Sequence, residues 1–309
     1  MPFHLIDLAR SGRRLTHPLL AWALAMVVAG VGTVAGGVAV GLLLWVLDVD
    51  MSPSEPLASA LVMVLLLVGS FAPVALLLGL WVRLFEGRPL WTLGLERAGA
   101  LARYLRGALV GVALYTAVLV LCAASGALAY EPGDPSQQGL AALGGVLLVY
   151  LGWTVQGPVE ELLCRGWLLP VVAARTRLWI GVLASSLVFT VLHGLNPGVT
   201  PLALVNLLLF SLFAALYVLW EGGLWGICAL HAAWNWTQGN LFGLAVSGAG
   251  AGGGVLLNLQ TRGPDLLTGG SFGPEGSLAT TIVLLLASAV LLWRLRVRRR
   301  LEMIHEGHE

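Results

Sequence analysis

From Leu19 to Leu47 the chain runs without a single charged side chain. A helix of about 20 apolar residues crosses the hydrocarbon core of a bilayer. This run is too long for the apolar region of a signal peptide, and no small-x-small cleavage point precedes the return of polar sequence. It therefore reads as a first transmembrane helix that stays in place. Seven more apolar stretches follow, near 57–82, 105–129, 139–157 (running on toward 173), 178–195, 202–220, 223–246 and 278–294. Charged residues make up 11% of the chain and mean hydropathy is +0.88, whereas a soluble domain carries about 25% charged residues. The expected fold is all-α: a polytopic membrane protein of about eight transmembrane helices. Residues 1–18 read as a cytoplasmic segment, 19–295 as the membrane domain and 296–309 as a cytoplasmic tail.

Every basic residue among the 17 is Arg, and their placement fixes an orientation. Arg83, Arg88, Arg97, Arg103 and Arg106 fall between the second and third spans. Arg175 and Arg177 follow the fourth, and Arg294, Arg296, Arg298, Arg299 and Arg300 follow the eighth. The alternate loops hold Asp48, Asp50, Glu55, Glu131 and Asp134. Positive residues stay on the cytoplasmic side, which puts both termini in the cytoplasm of a cell carrying this protein in its inner membrane. Nothing gathers the basic residues on one solvated face, as nucleic-acid binding would require. Cys122, Cys164 and Cys228 lie apart in apolar sequence and form no metal-binding or disulfide pattern. Gly32–Gly36 and Gly37–Gly41 read as points of close helix packing. The Gly- and Ser-rich stretch 247–277 is expected to be an outer loop without regular secondary structure, a length that marks a functional or mobile segment.

Ionisable groups well inside the spans are few: Glu160, Glu161, Arg165, His193 and His231. Each is costly in a bilayer and is by default functional. Phe189 lies four residues before His193 and Asn235 four after His231, so each pair shares a helix face. Glu160 and Glu161 point about 100° apart on a helix of 3.6 residues per turn. Glu161 has Arg165 at i+4 in the favourable order, which leaves Glu160 as the freer carboxylate facing the bundle interior. A kink at Gly157-Pro158 would rotate these faces. By helical rise Glu160 and His193 both lie about 22 Å from the inner boundary, but His231 only about 12 Å. Either the seventh span starts deeper, it begins earlier, or the ring is tilted.

A carboxylate with an imidazole can hold and deprotonate a water, and a second His with an Asn amide can stabilise an oxyanion. Glu160, His193 and His231 equally make up the donor set of a Zn²⁺ site with two His and one Glu. A proton-coupled transporter would use the same groups as a relay, although no internal repeat of the transporter type is visible.

Glu160-Glu161-x-x-x-Arg165, Phe189-x-x-x-His193 and His231-x-x-x-Asn235 resemble the three motifs of the CPBP family. These are the CAAX proteases and bacteriocin-processing (Abi) enzymes, Rce1-type prenyl endopeptidases among them. The resemblance is strong over 150–246, and Leu93-Gly94-Leu95 and the Gly-rich loop share it. It implies an intramembrane endopeptidase whose cavity opens toward the cytoplasm, acting on membrane-associated or lipidated peptides. Glu160 and His193 would activate water, and His231 and Asn235 would form the oxyanion pocket. Glu161 and Arg165 would brace the site and Phe189 would shape its wall. It favours a glutamate mechanism without cofactor over a zinc enzyme. A non-catalytic membrane partner or a bacteriocin self-immunity protein is compatible with the same fold.

Overall fold

A computed structural model describes residues 4–250 and 252–306, with side-chain surroundings as far as Arg298. The chain is an all-α, multi-pass membrane protein. A short α1 (His4–Arg10) precedes α2 (Pro18–Val46) and α3 (Pro56–Leu80), and α3 runs into a π-helical turn, Trp81–Glu86. Next come α4 (Ala100–Ala124), the strand β1 (Leu128–Tyr130) and α5 (Leu143–Glu161), followed by a second π turn, Leu162–Leu168. Then follow α6 (Leu169–Arg175), α7 (Leu178–His193), α8 (Pro201–Glu221) and α9 (Trp225–Trp236), which ends in a third π turn, Thr237–Leu241. Strand β2 (Leu259–Thr261), α10 (Asp265–Thr268) and α11 (Leu278–Glu306) complete the chain.

Local chemistry sets the boundaries. Proline opens α2, α3 and α8, where its missing N–H costs nothing. Glu55 caps α3 by accepting from the Leu57 and Ala58 amides, and Thr200 caps α8 through the Ala203 amide. Leucines and valines such as Leu76, Leu109, Val120 and Leu286 stand exposed around the bundle. Such a girdle suits lipid and not water.

Among the described residues, six helical segments are long and apolar enough to cross a membrane: Pro18–Val46, Pro56–Glu86, Ala100–Ala124, Gly139–Arg175, Pro201–Glu221 and Leu278–Arg298. The other two of the eight expected spans are shorter. Helix α7 has 16 residues and α9 has 12. The reason lies in residues 87–99, which fold inward under α9. Gly94, at φ +91°, offers its carbonyl to the Leu224 amide at 2.8 Å, and Leu224 is fully buried. Helix α9 therefore starts inside the protein.

One other expectation changes, and segments at both ends of the membrane domain are folded. Residues 252–277 carry regular structure: β2 pairs antiparallel with β1, with Leu128 opposite Thr261. Further along, Phe272 is fully buried and Gly270–Phe272 and Pro274–Gly276 form 3₁₀ turns. The N-terminal segment is also folded, with Leu5, Ile6 and Ala9 buried and His4 2.6 Å from Glu96. Helix α11 continues past 294 to Glu306, while Met1–Phe3 and residues 307–309 lie outside the described residues. The three cysteines are free and buried.

Small residues let the key helices touch. A Cβ on Gly36 would fall 2.1 Å from the Gly69 carbonyl oxygen of α3, whereas one on Gly41 would meet nothing within 4 Å, so Gly41 makes no close contact. On α4, a Cβ at Gly107 would fall 1.9 Å from the Gly226 carbonyl, and one at Gly111 2.3 Å from that of Leu230. The α4–α9 approach sets the position of the next residue, His231.

Candidate active site

Three helices bring the intramembrane polar residues to one place. Helix α5 carries Glu160 and Glu161 at its end, and the π turn beyond it carries Arg165. Helix α7 ends on His193 and α9 carries His231 and Asn235. The helix stays regular through Gly157-Pro158 and becomes irregular only at Leu162, after both glutamates. Such π turns are frequent at functional sites. Gly157 has its own part: a Cβ there would stand 3.2 Å from the His231 ring, so its absence lets α9 close on the glutamates.

The two carboxylates have different surroundings. Glu161 is fully buried; its Oε1 lies 3.1 Å from Arg165 Nη1 and 2.9 Å from His231 Nδ1. Arg165 Nη2 donates to Ser211 Oγ of α8 at 2.7 Å, and its guanidinium lies over the Phe189 ring at 4.6 Å. Phe189 in turn stacks on His193, with centroids 4.4 Å apart. Glu160 accepts from Gln156 Nε2 at 2.7 Å through Oε1. Its Oε2 lies 3.7 Å from Nε2 of His193 and 3.7 Å from Nε2 of His231. That oxygen is buried and accepts no hydrogen bond from the described residues.

Hydrogen bonds at the far ring nitrogens settle which atoms face the site. A backbone carbonyl can only accept, so His193 Nδ1 donates to Phe189 O at 2.9 Å, which leaves the Nε2 lone pair toward Glu160 in the neutral ring. An ionised Glu161 likewise only accepts, so His231 carries its Nδ1 proton and turns Nε2 to Glu160. Asn235 Nδ2 donates to Gln156 Oε1 at 2.7 Å and keeps a second amide hydrogen.

Gln156 and Ser211 were missed by sequence reasoning. Gln156 had a signal, since it stands four residues before Glu160 on the same helix face. Ser211 had none, being one hydroxyl on a separate apolar helix. Among the described residues, no three His, Cys, Asp or Glu side chains are arranged to hold a common metal ion. Glu160, His193 and His231 converge without reaching that arrangement.

The site lies on the wall of a cavity of about 1000 Å³. Apolar side chains of α2 and α3, among them Met26, Met63, Leu67 and Phe71, form the opposite wall. Asn196, Pro197, Ser247, Ala249 and Glu275 line the end formed by the α7–α8 connection and the Gly-rich segment. Exposed lining residues include Leu195, Pro197 and Ala249 at that end, with Val34 and Val191 at the side. At the opposite end Leu93, Trp167, Val171 and Leu224 are buried and close the floor. The exposed lining residues thus stand toward the end away from the Arg-rich loops and along the side between α2 and α7.

Residues 141–237 match the family model described as type II CAAX prenyl endopeptidase Rce1-like. The match takes in all three motifs, from Glu160 to Asn235, and so covers the stretch that carries the resemblance. No curated protein and no solved structure matches the chain.

Proposed function

We propose that this membrane protein, Rce1-like over residues 141–237, is an intramembrane endopeptidase that hydrolyses a peptide bond in a membrane-associated or lipidated substrate. The observation that carries this reading is the convergence of Glu160 Oε2 with Nε2 of both His193 and His231, 3.7 Å from each, on the cavity wall.

Water held between Glu160 Oε2 and His193 Nε2 attacks the scissile carbonyl carbon and gives its proton to Glu160. The carbonyl oxygen becomes an oxyanion that accepts from the second Asn235 amide hydrogen and from His231 Nε2. Because Nδ1 of His231 is committed to Glu161, it donates from Nε2 as an imidazolium, with a carboxylate on either side. The C–N bond then breaks as Glu160 returns its proton to the leaving amine. Preorganised donors of this kind are commonly the largest single contribution to acyl-transfer catalysis. Arg165 and Ser211 hold Glu161, and Glu161 holds His231, so these three residues position the donor and do not touch substrate. The apolar wall from α2 and α3 suits a hydrocarbon chain or apolar side chains beside the scissile bond.

The test is cleavage of a panel of lipidated and membrane peptides by purified protein beside Glu160→Ala and His193→Ala variants. Both variants should lose about 10²–10⁴-fold in turnover, the usual contribution of general acid–base groups. Equal cleavage by all three proteins sinks the catalytic assignment. Full activity after exhaustive chelation is expected; activity that vanishes with the metal and returns with Zn²⁺ would transfer Glu160, His193 and His231 to a metal-ligand role.

A further inference from the structure

The end at which the cavity opens has a consequence for where the substrate comes from. The loops that lie at the mouth end, 47–55, 125–142, 194–200 and 242–277, contain one basic residue, Arg262, beside Asp48, Asp50, Glu55, Glu131, Asp134 and Asp265. The opposite end holds Arg10, Arg13, Arg14, Arg83, Arg97, Arg103, Arg175 and Arg177. Short loops rich in Arg stay in the cytoplasm. Helical rise gives the same polarity within the bundle. The α2 residues that line the cavity, Met26 to Val34, stand about 12–24 Å from the Arg-side end of that helix, and His193 about 22 Å from the start of α7. None of the lining residues comes from 81–106, 174–178 or 220–224, the segments that join the helices on the Arg side.

The Arg side is closed by two fastened layers. The inward fold of residues 87–99 is tied to α9 through Gly94 and Leu224. Beneath the site the fully buried Glu86–Arg88 pair receives Thr16 and Trp167. The mouth end is fastened as well: Asn196 Nδ2 donates to Ser247 O at 3.1 Å and Asn206 Nδ2 to Glu275 O at 2.7 Å. Glu275 accepts from Trp234 Nε1 at 2.9 Å and from the amide and hydroxyl of Ser247, each at 2.8 Å. Ser247 sits at φ +48°, a left-handed conformation unusual for a residue with a side chain. This rim shapes the entrance, and Leu195, 94% exposed, stands beside it.

We infer that the cavity takes its substrate from the extracytoplasmic side: an apolar or lipid-bearing peptide segment resident in the outer leaflet enters past Leu195 and the Ser247–Glu275 rim. The inference rests on the endopeptidase reading for the reaction and on charge and geometry for the side. Val34 of α2 and Val191 of α7, both exposed and lining the cavity, mark the lateral path for a hydrocarbon chain, while the peptide reaches Glu160 from the rim.

Single cysteines test the side without any need for activity, since Cys122, Cys164 and Cys228 are buried. Leu195→Cys, Glu131→Cys and Ala98→Cys variants in intact cells are exposed to a membrane-impermeant maleimide. Leu195→Cys and Glu131→Cys should label at once, and Ala98→Cys only after permeabilisation. Labelling of Leu195→Cys only after permeabilisation overturns the inference. In a second arm, a palmitoylated reporter peptide is added to right-side-out and inside-out vesicles. Cleavage confined to right-side-out vesicles and lost on maleimide blockage of Leu195→Cys supports the route; cleavage confined to inside-out vesicles overturns it. If Leu195→Cys labels from outside but no reporter is cut on either side, the endopeptidase reading fails and the sidedness stands.

Discussion

Two buried carboxylate–arginine pairs flank the same π turn, Leu162–Leu168, and differ in how completely they are bonded. Glu86 has both oxygens occupied: Oε1 accepts from Thr16 Oγ1 at 2.7 Å and Trp167 Nε1 at 3.0 Å, and Oε2 from Arg88 Nε at 2.8 Å. Arg88 reaches on to the Thr92 hydroxyl and carbonyl. Around Glu161–Arg165 the bonding is carried outward, through His231, to a neighbour, Glu160, whose Oε2 accepts nothing from the described residues. A buried carboxylate with both oxygens bonded has no acceptor left for a ligand and serves to hold elements together. An unsaturated carboxylate on a cavity wall keeps its lone pairs for chemistry. Charge and burial alone would have made these clusters equivalent; the count of partners separates them.

That contrast is most directly broken at Glu86. Glu86→Ala strands Arg88 without its counter-charge, which costs about 3–5 kcal/mol, read as a shifted unfolding transition in detergent. Turnover per folded molecule should stay at the wild-type value, and a variant as stable as wild type would remove the structural reading of the sealed pair. On the other side of the turn, Asn235→Ala should unfold as the wild type does and lose about 10²–10³-fold in kcat, the usual effect of deleting an oxyanion donor. A change confined to KM would assign Asn235 to binding.

Between these extremes, Glu161→Gln weakens charge-assisted hydrogen bonds to Arg165 and His231 at about 1.5–3 kcal/mol. Its stability should fall by more than the free-energy equivalent of its loss in kcat; the reverse ranking would make Glu161, and not Glu160, the chemical carboxylate. The smallest effect belongs to Ser211→Ala. Intramembrane side-chain hydrogen bonds average about 0.6 kcal/mol and reach about 1.7, so a loss near 1 kcal/mol is expected, checked by the same unfolding assay. A loss as large as that of Glu86→Ala would show Arg165 to be as tightly fastened as Arg88.

Much of the site was legible because helical spacing is a local property. Four-residue intervals announced the Glu161–Arg165 contact, the His193–Phe189 stack and the shared face of His231 and Asn235. Gln156 obeyed the same rule and was within reach of it. The sealed pair was not, because Arg88 looks like one more positive loop residue and Glu86 lies in the same loop with no spacing that marks it. Their burial depends on residues 87–99 turning inward, which no periodicity signals. For the same reason α9 was drawn as a full span: its composition is that of a membrane helix, and only its contact with Gly94 makes twelve residues enough.

The sequence by itself determined the environment and the candidate site's inventory: apolar runs too long for a soluble core, loops alternately rich and poor in Arg, and a handful of charges that a bilayer tolerates only in company. Tertiary structure decided how those charges were divided. It bonded Glu161 Oε1 to Arg165 and His231, left Oε2 of both glutamates without a hydrogen bond from the described residues, and buried Trp167 beneath the site. Those outcomes depend on distances between helices far apart in the chain, set by glycines such as Gly107 and Gly157 where backbones must touch. Sequence spacing reports neighbours on one helix, whereas the bonding of a buried charge is completed across several.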